Sequence, residues 1–454
     1  MPTPAIHMLR VFLIHMVVIM LVCGFPRGFR TPLSRGLQMT SIEYFKTIAP
    51  RLSCEAIVKD AFKAGLSAGC AVDLIALARE QDTMGPESSL THKRLYGVPC
   101  FMAHGDIFLP TLMEEGALVF RETMLQINPH ETHPRNPRDE NFLLDTASPS
   151  SATRAVESVS TGKVAFSLIP CPPSDLLFPL SLSWSGLVGL RLPAATEGGA
   201  VVLCGTSVSD VAYLRMLLTK RQAQSHHQQS GHLVGKEPAE HPLLPLKGYK
   251  IAVLAKHTLT DLSSDVEYCV STAVLVCVEM LERLGAECKQ IKVSKDESGR
   301  LFLDSDLREQ GFSAICSPAA QTAALAVGAT AAKKGNVKTM HFHETIRNEW
   351  IDNLSVTIPV GLVAGEDDGY DDSLNEEKHR EGLPINICIS SLSKDTDEAC
   401  LFLAASYTSV TRWSSEVFKV GATRLNALED IDDARESFGI FFVQTMLRYL
   451  GKKM

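Results

Sequence analysis

The first 42 residues contain no Asp and no Glu, and the whole chain has no C-x-x-C pair, no basic domain and no uninterrupted apolar run of membrane-spanning length. The twelve cysteines are scattered singly, which excludes a zinc ribbon and a disulfide-dense module and predicts reduced core thiols. Without a Lys/Arg-rich domain, and with 44 basic against 52 acidic residues, the chain offers no extended nucleic-acid surface. The phosphate-cradling G-x-x-x-x-G-K-[ST] loop is also missing, so no nucleotide cofactor is implied, and no other cofactor is expected. What remains is a globular composition: 45% hydrophobic and 21% charged over 454 residues, enough for a large core.

The acid-free start carries Arg10, Arg27, Arg30 and Arg35, a targeting composition. Val11 to Phe25 is apolar apart from His15 and Gly24, shorter than the ~20 residues of a stable membrane span and similar to a signal h-region. The following Arg- and hydroxyl-bearing stretch favours mitochondrial import, with secretory or bipartite plastid targeting as the alternative. Met1, Met8 and Met39 are all eligible starts.

Residues Ser41 to Arg79 have helical spacing. Beyond them, short apolar strands alternate with helices: strand Val98 to Met102, helix Leu112 to Glu115 stopped by Gly116, and strand Ala117 to Phe120. The alternation continues with helix Thr153 to Ser160, strand Val164 to Ile169, helix Val208 to Leu218, strand Tyr249 to Leu254, helix Val266 to Leu284 and strand Glu287 to Val293. The expected class is α/β, with a central mixed or mostly parallel sheet covered by helices on both faces. Expected boundaries are a targeting segment 1–40, a body 41–420 and a C-terminal helical extension 421–454, the latter with apolar Phe438, Ile440, Phe441, Phe442, Met446 and Leu450. Arg221 to His241 and Gly365 to Glu381 read as exposed polar loops. The histidines of the first loop lack ligand spacing, and no metal is assigned.

Several segments, in order, resemble the amidase signature family: Leu95-Tyr96-Gly97-Val98-Pro99, Leu112 to Val119, Gly186 to Arg191, Leu246 to Val253, Leu281 to Glu287, Ser317-Pro318, Gly382 to Ile385 and the helix from Asp397 to Trp413. The resemblance is closest to the A subunit of glutamyl-tRNA amidotransferase and to bacterial amidases. It spans residues 45 to 415, with shortening near 192–205 and 294–312. It implies an amide-cleaving machine in which a neutral Lys accepts a proton relayed through a Ser, held across a cis peptide, from a Ser nucleophile. Backbone N–H groups then hold the oxyanion.

The residues at those positions depart from the family's pattern. The Lys position is Ala103, followed by His104, and an alanine methyl accepts no proton. Ser150 or Ser151 takes the middle-Ser position, without the flanking glycines. For the nucleophile, counting from Gly162 or Pro179 gives Asp175, counting back from Gly186 gives Leu177, and counting from Ser150 gives Ser174. Pro172 and Pro173 stand just before it and lack backbone N–H donors. Each lost oxyanion donor costs about 3 kcal/mol of transition-state stabilisation. The expectation is therefore a catalytically degenerate amidase-fold protein, a binding or scaffold subunit among protein partners in an organellar assembly. The alternatives are an active amidase or glutamyl-tRNA(Gln) amidotransferase A-type subunit using Ser174 with Ser150 and an unidentified base, and a non-catalytic small-molecule binder using Asp175 and the remnant cleft.

Overall fold

A computed structural model describes Ile42 and the segments 54–63, 71–84, 93–103, 108–121, 134–145, 150–171, 180–192, 200–225, 244–254, 266–291, 293–295, 301–303, most of 307–327, 354–363 and 382–411. All of them fall in one compact unit spanning residues 39–438. The 1–40 segment, the 421–454 extension, the 365–381 loop and residues 226–241 of the other polar loop lie outside the described residues.

Ten strands form one sheet in the order β2-β1-β3-β5-β4-β11-β12-β10-β6-β7. They are β1 Pro99–Met102, β2 Leu118–Arg121, β3 Phe166–Cys171, β4 Val188–Leu192, β5 Ala200–Gly205, β6 Lys250–Leu254, β7 Glu287–Ile291, β10 Ala314–Pro318, β11 Ser355–Leu362 and β12 Pro384–Ser391. A separate hairpin pairs β8 Val293–Lys295 with β9 Leu301–Leu303. Five of the nine pairings in the large sheet are antiparallel and four are parallel, so the sheet is mixed rather than mostly parallel. Among the described strands, those of the N-terminal half, β1 to β5, pair with those of the C-terminal half where β4 lies beside β11, through Gly189 to Arg191 against Ser355 to Thr357.

The eight described helices longer than one turn are α1 Cys54–Lys63, α2 Ala71–Met84, α3 Leu109–Glu114, α4 Ser151–Ser160, α5 Leu180–Ser185, α6 Val208–Ser225, α7 Tyr268–Arg283 and α8 Asp397–Thr411. Two helix-to-strand joints are built alike. Gly116 and Gly285 take positive φ, the Gly116 N–H bonds Met113 O and the Ala117 N–H bonds Leu112 O, with the same pattern from Gly285 and Ala286 to Glu282 and Leu281. This αL stop satisfies the last helical carbonyls and turns the chain into β2 and β7.

Side chains alternate along each strand, so each sheet face has its own core. On one face Val211, Leu214 and Leu218 of α6, Val274 and Leu281 of α7, and Leu403 and Tyr407 of α8 pack on Cys100, Leu190, Val356 and Ile389. On the other, Ile57 and Val58 of α1, Ala78 of α2, Ala155, Val156 and Val159 of α4, and Leu182 of α5 cover Phe101, Phe120, Ile169 and Cys204. Full burial of one such aliphatic side chain contributes about 1.5–3 kcal/mol.

Some local expectations need correction. The helical pattern from Ser41 to Arg79 resolves into α1 and α2, and α2 runs on to Met84. The strand expected over Glu287 to Val293 ends at Ile291, and Val293 opens the separate hairpin. Arg221 to Ser225 continue α6 instead of starting a loop. Among the described residues no helix is long and apolar enough to cross a membrane.

Candidate active site

β1 and β3 are parallel neighbours, with Phe101 beside Ser167. α4 enters β3 from the amino end, so its own amino end lies at the carboxyl ends of β1 and β3. In open α/β sheets this is where ligands bind. Two sequence-assigned positions, Ala103 just past β1 and Ser150 just before α4, belong to this end of the sheet. The 172–179 segment, which carries Pro172, Pro173, Ser174 and Asp175, departs from the same end of β3 but lies outside the described residues, as does His104.

The Ala103 N–H donates to Leu168 O at 3.0 Å, which carries the ladder one residue past β1. Its side chain therefore projects on the same face as Phe101, and it is 1% exposed in the cluster that holds Phe101, Phe120, Ile169 and Val202. The position where the resemblance calls for a lysine is buried and belongs to an apolar cluster.

Ser150 is the N-cap of α4, with extended backbone, and its Oγ accepts from the Thr153 N–H at 3.2 Å. The Ser150 and Thr153 hydroxyls are 2.9 Å apart, and Thr153 Oγ1 donates to Asp145 Oδ2 at 3.3 Å. Each hydroxyl has one hydrogen, so Ser150 donates to Thr153 and Thr153 to Asp145. The series ends on a carboxylate, and carboxylates as a class are weaker bases than amines by about six pKa units. Ser151, half-buried, is the first residue of the helix. No cis peptide occurs among the described residues.

The two lysines nearest these segments in the chain sit at the wrong end. The Lys93 side chain lies beside Gly116, ahead of β2, and Lys163 precedes β3, with its Nζ 3.7 Å from Glu157. Burial pushes thiols away from reactivity: Cys204 and Cys388 rise to about 12, each because desolvation disfavours the thiolate, and Cys54 rises to about 11, through burial first and the Asp82 carboxylate as a lesser cause. Among the described residues no group of three His, Cys, Asp or Glu side chains has metal-binding geometry.

One element at the site was not foreseen. α5, which follows the 172–179 segment, is buried at every residue. Its alternation of Leu and Ser suggests a half-exposed strand, and nothing local reveals a helix. Distant residues hold it: Asn136 Nδ2 donates to Trp184 O at 2.9 Å, Arg138 Nε to Ser185 O at 3.1 Å, and Asn386 Nδ2 to Leu187 O at 2.9 Å. Burial lowers Arg138 to about 10. Ser181 Oγ, Ser183 Oγ, Thr357 Oγ1 and Asn386 Oδ1 are buried without hydrogen-bond partners among the described residues. This makes the layer around α5 a store of unused hydrogen-bonding capacity.

No family model matches the sequence, and no curated protein is similar to it in sequence. Solved structures are similar in fold. A bacterial aryl acylamidase of the amidase signature family aligns over 86% of this chain and 99% of its own, with a TM-score of 0.56 and 12% identity. The peptide amidase of Stenotrophomonas maltophilia aligns over 83% of this chain and 97% of its own, with a TM-score of 0.55 and 11% identity. A fatty acid amide hydrolase aligns over 84% and 86%, with a TM-score of 0.54 and 14% identity. The chain has the amidase signature fold: a large mixed sheet with helices on both faces, as the sequence resemblance implied.

Proposed function

We propose that this chain is a catalytically degenerate amidase-fold protein kept for binding, a scaffold subunit among protein partners in an organellar assembly. The observation that carries the reading is Ala103, the residue that the sequence resemblance aligns with the family's base, which is an alanine only 1% exposed. Two features support it: the Ser150 hydroxyl is committed to capping α4 and to Thr153, and Pro172-Pro173 bring no N–H to an oxyanion. Mitochondrial placement rests on the acid-free, Arg-bearing residues 1–40.

The test is a fluorophosphonate probe applied to the purified full chain, which reports an activated serine and a held oxyanion together. No labelling above the heat-denatured protein is expected. Stoichiometric labelling abolished by Ser174→Ala would replace this reading with that of an active amidase. For the scaffold role, a tagged copy expressed in cells is expected in mitochondrial fractions, sedimenting above monomer size. Migration as a free cytosolic monomer would refute both role and location.

A further inference from the structure

The two margins of the ten-stranded sheet differ. β2, at one margin, is buried at Leu118, Val119 and Phe120, whereas β7, at the other, exposes Glu287, Lys289 and Gln290 and half-buries Cys288 and Ile291. Among the described residues no strand pairs with the outer side of β7. An edge of this kind presents a row of backbone donors and acceptors to any strand that fits.

The register identifies which groups face outward. The Glu287 N–H turns inward to Tyr249 O at 2.8 Å, and the parallel pairing with β6 continues through Lys289 and Ile291. Backbone groups alternate in direction along a strand, so the outward N–H and C=O belong to Cys288 and Gln290. A second strand running antiparallel must place its own outward residues opposite these. For two identical strands related by a two-fold axis, only a few registers satisfy that.

Charge selects among them. Centred on Cys288, the pairing sets Cys288 opposite Cys288 of the second copy, as a mutually hydrogen-bonded pair. Each Glu287 then faces Lys289 of the other copy in the non-hydrogen-bonded positions, where Cα atoms approach to about 4.5 Å and side chains are closest. Centred on Lys289, the pairing sets lysine against lysine. Centred on Gln290, it sets Lys289 against Ile291. The Glu287 and Lys289 side chains are 60% and 54% exposed and already 2.8 Å apart within one strand, so the Cys288-centred register closes them into a four-charge ring. A lone edge lysine repels a second copy; a Glu and a Lys two residues apart on one face complement it.

We infer that β7 is a self-pairing edge: two copies of this chain join antiparallel through Glu287–Ile291, centred on Cys288, and continue the sheet across an isologous two-fold interface.

The test uses the full chain in sedimentation velocity across a concentration series at low salt. Wild-type protein is expected to dimerise. Glu287→Lys and Lys289→Glu, each placing like charges in both cross-strand pairs, are each expected to raise the dimer dissociation constant at least about 10-fold. Both side chains are exposed, so circular dichroism should be unchanged. Mixing the two single variants makes every cross-strand pair opposite in sign again, so a heterodimer is expected where neither variant dimerises alone. Hydrogen exchange adds a local readout: the amides of Cys288 and Gln290 should exchange more slowly in the wild-type dimer than in either variant. A wild-type monomer at about 0.1 mM, a dimer indifferent to both substitutions, or a mixture that stays monomeric would each overturn the inference.

Discussion

A lysine placed at position 103 tests the buried, apolar reading of this position directly. In Ala103→Lys the new side chain enters the cluster that holds Phe101, Phe120, Ile169 and Val202, at a residue now 1% exposed. Overpacking alone costs about 1–3 kcal/mol, and Ala103→Met reports that part, because it adds similar length without charge. The ammonium adds a second cost. A lysine held there is expected to titrate about three units below its ordinary 10.4, which at about 1.36 kcal/mol per unit is roughly 4 kcal/mol near neutral pH. With the folded-state pKa depressed, the unfolded chain binds the proton that the folded chain gives up between about pH 7 and 10. The stability of Ala103→Lys relative to Ala103→Met therefore rises with pH across that window. Urea unfolding of both variants at pH 6 to 10 measures the difference. A gap under about 1 kcal/mol, flat with pH, would mean that position 103 opens on a polar cleft, and the case for a lost base would fall. No amide hydrolysis is expected to return with the lysine.

Gly189→Ala should destabilise the protein by about 1–3 kcal/mol in urea, because an added Cβ would meet Leu182 Cδ1 and Thr357 Cγ2 at 2.9 Å each; an unchanged midpoint would refute this. Ser150→Ala should cost about 1 kcal/mol and Ser150→Asn only a few tenths, since Asn also caps; equal losses would mean that Ser150 does more than cap α4. Asp397 is held above the ordinary carboxylate range, by burial first, despite accepting from Ser391 Oγ at 2.6 Å and the Leu354 N–H at 3.0 Å. Its folded pKa is raised, so its contribution is fully present below the unfolded pKa and declines as pH rises through the folded one. Wild-type stability measured against Asp397→Asn should therefore fall as pH climbs from about 4, and a difference independent of pH would contradict the assignment.

Elements whose signals are local were legible in the sequence. The strand before Ala103, the Gly116 stop, α4 and the long apolar α7 all have stabilising contacts within a few residues. β11 and β12 escaped. Both do alternate, with Val356, Ile358, Val360 and Leu362 of β11 and Ile385, Ile387 and Ile389 of β12 at every second position, but the residues between them are Ser, Thr, Pro, Gly, Asn and Cys, and the prolines read as strand breakers. Their polar side chains are accommodated by contacts remote in the chain, such as Ser355 Oγ to Ser390 Oγ at 2.9 Å. For the site, Ala103 and Ser150 were assigned by the family resemblance, and that Ser150 caps α4 emerges from the structure. α5 could not, because the groups holding its carbonyls come from Asn136 and Arg138, which no local rule connects to it.

The narrow join between β4 and β11 bears on how the chain comes to be folded. Residues 189–191 and 355–357 stand far apart in sequence, and this is where the two halves of the sheet hydrogen-bond to each other. Strands β1 to β5 can pair among themselves as soon as residues up to 205 have been made, whereas β4 must wait for β11. Closing so distant a contact is slow, and until it forms β4 presents a bare strand edge open to wrong partners. A nascent chain stalled before residue 355 would therefore be the form most in need of a chaperone, and the first seam to part under stress in the finished protein would be this same one.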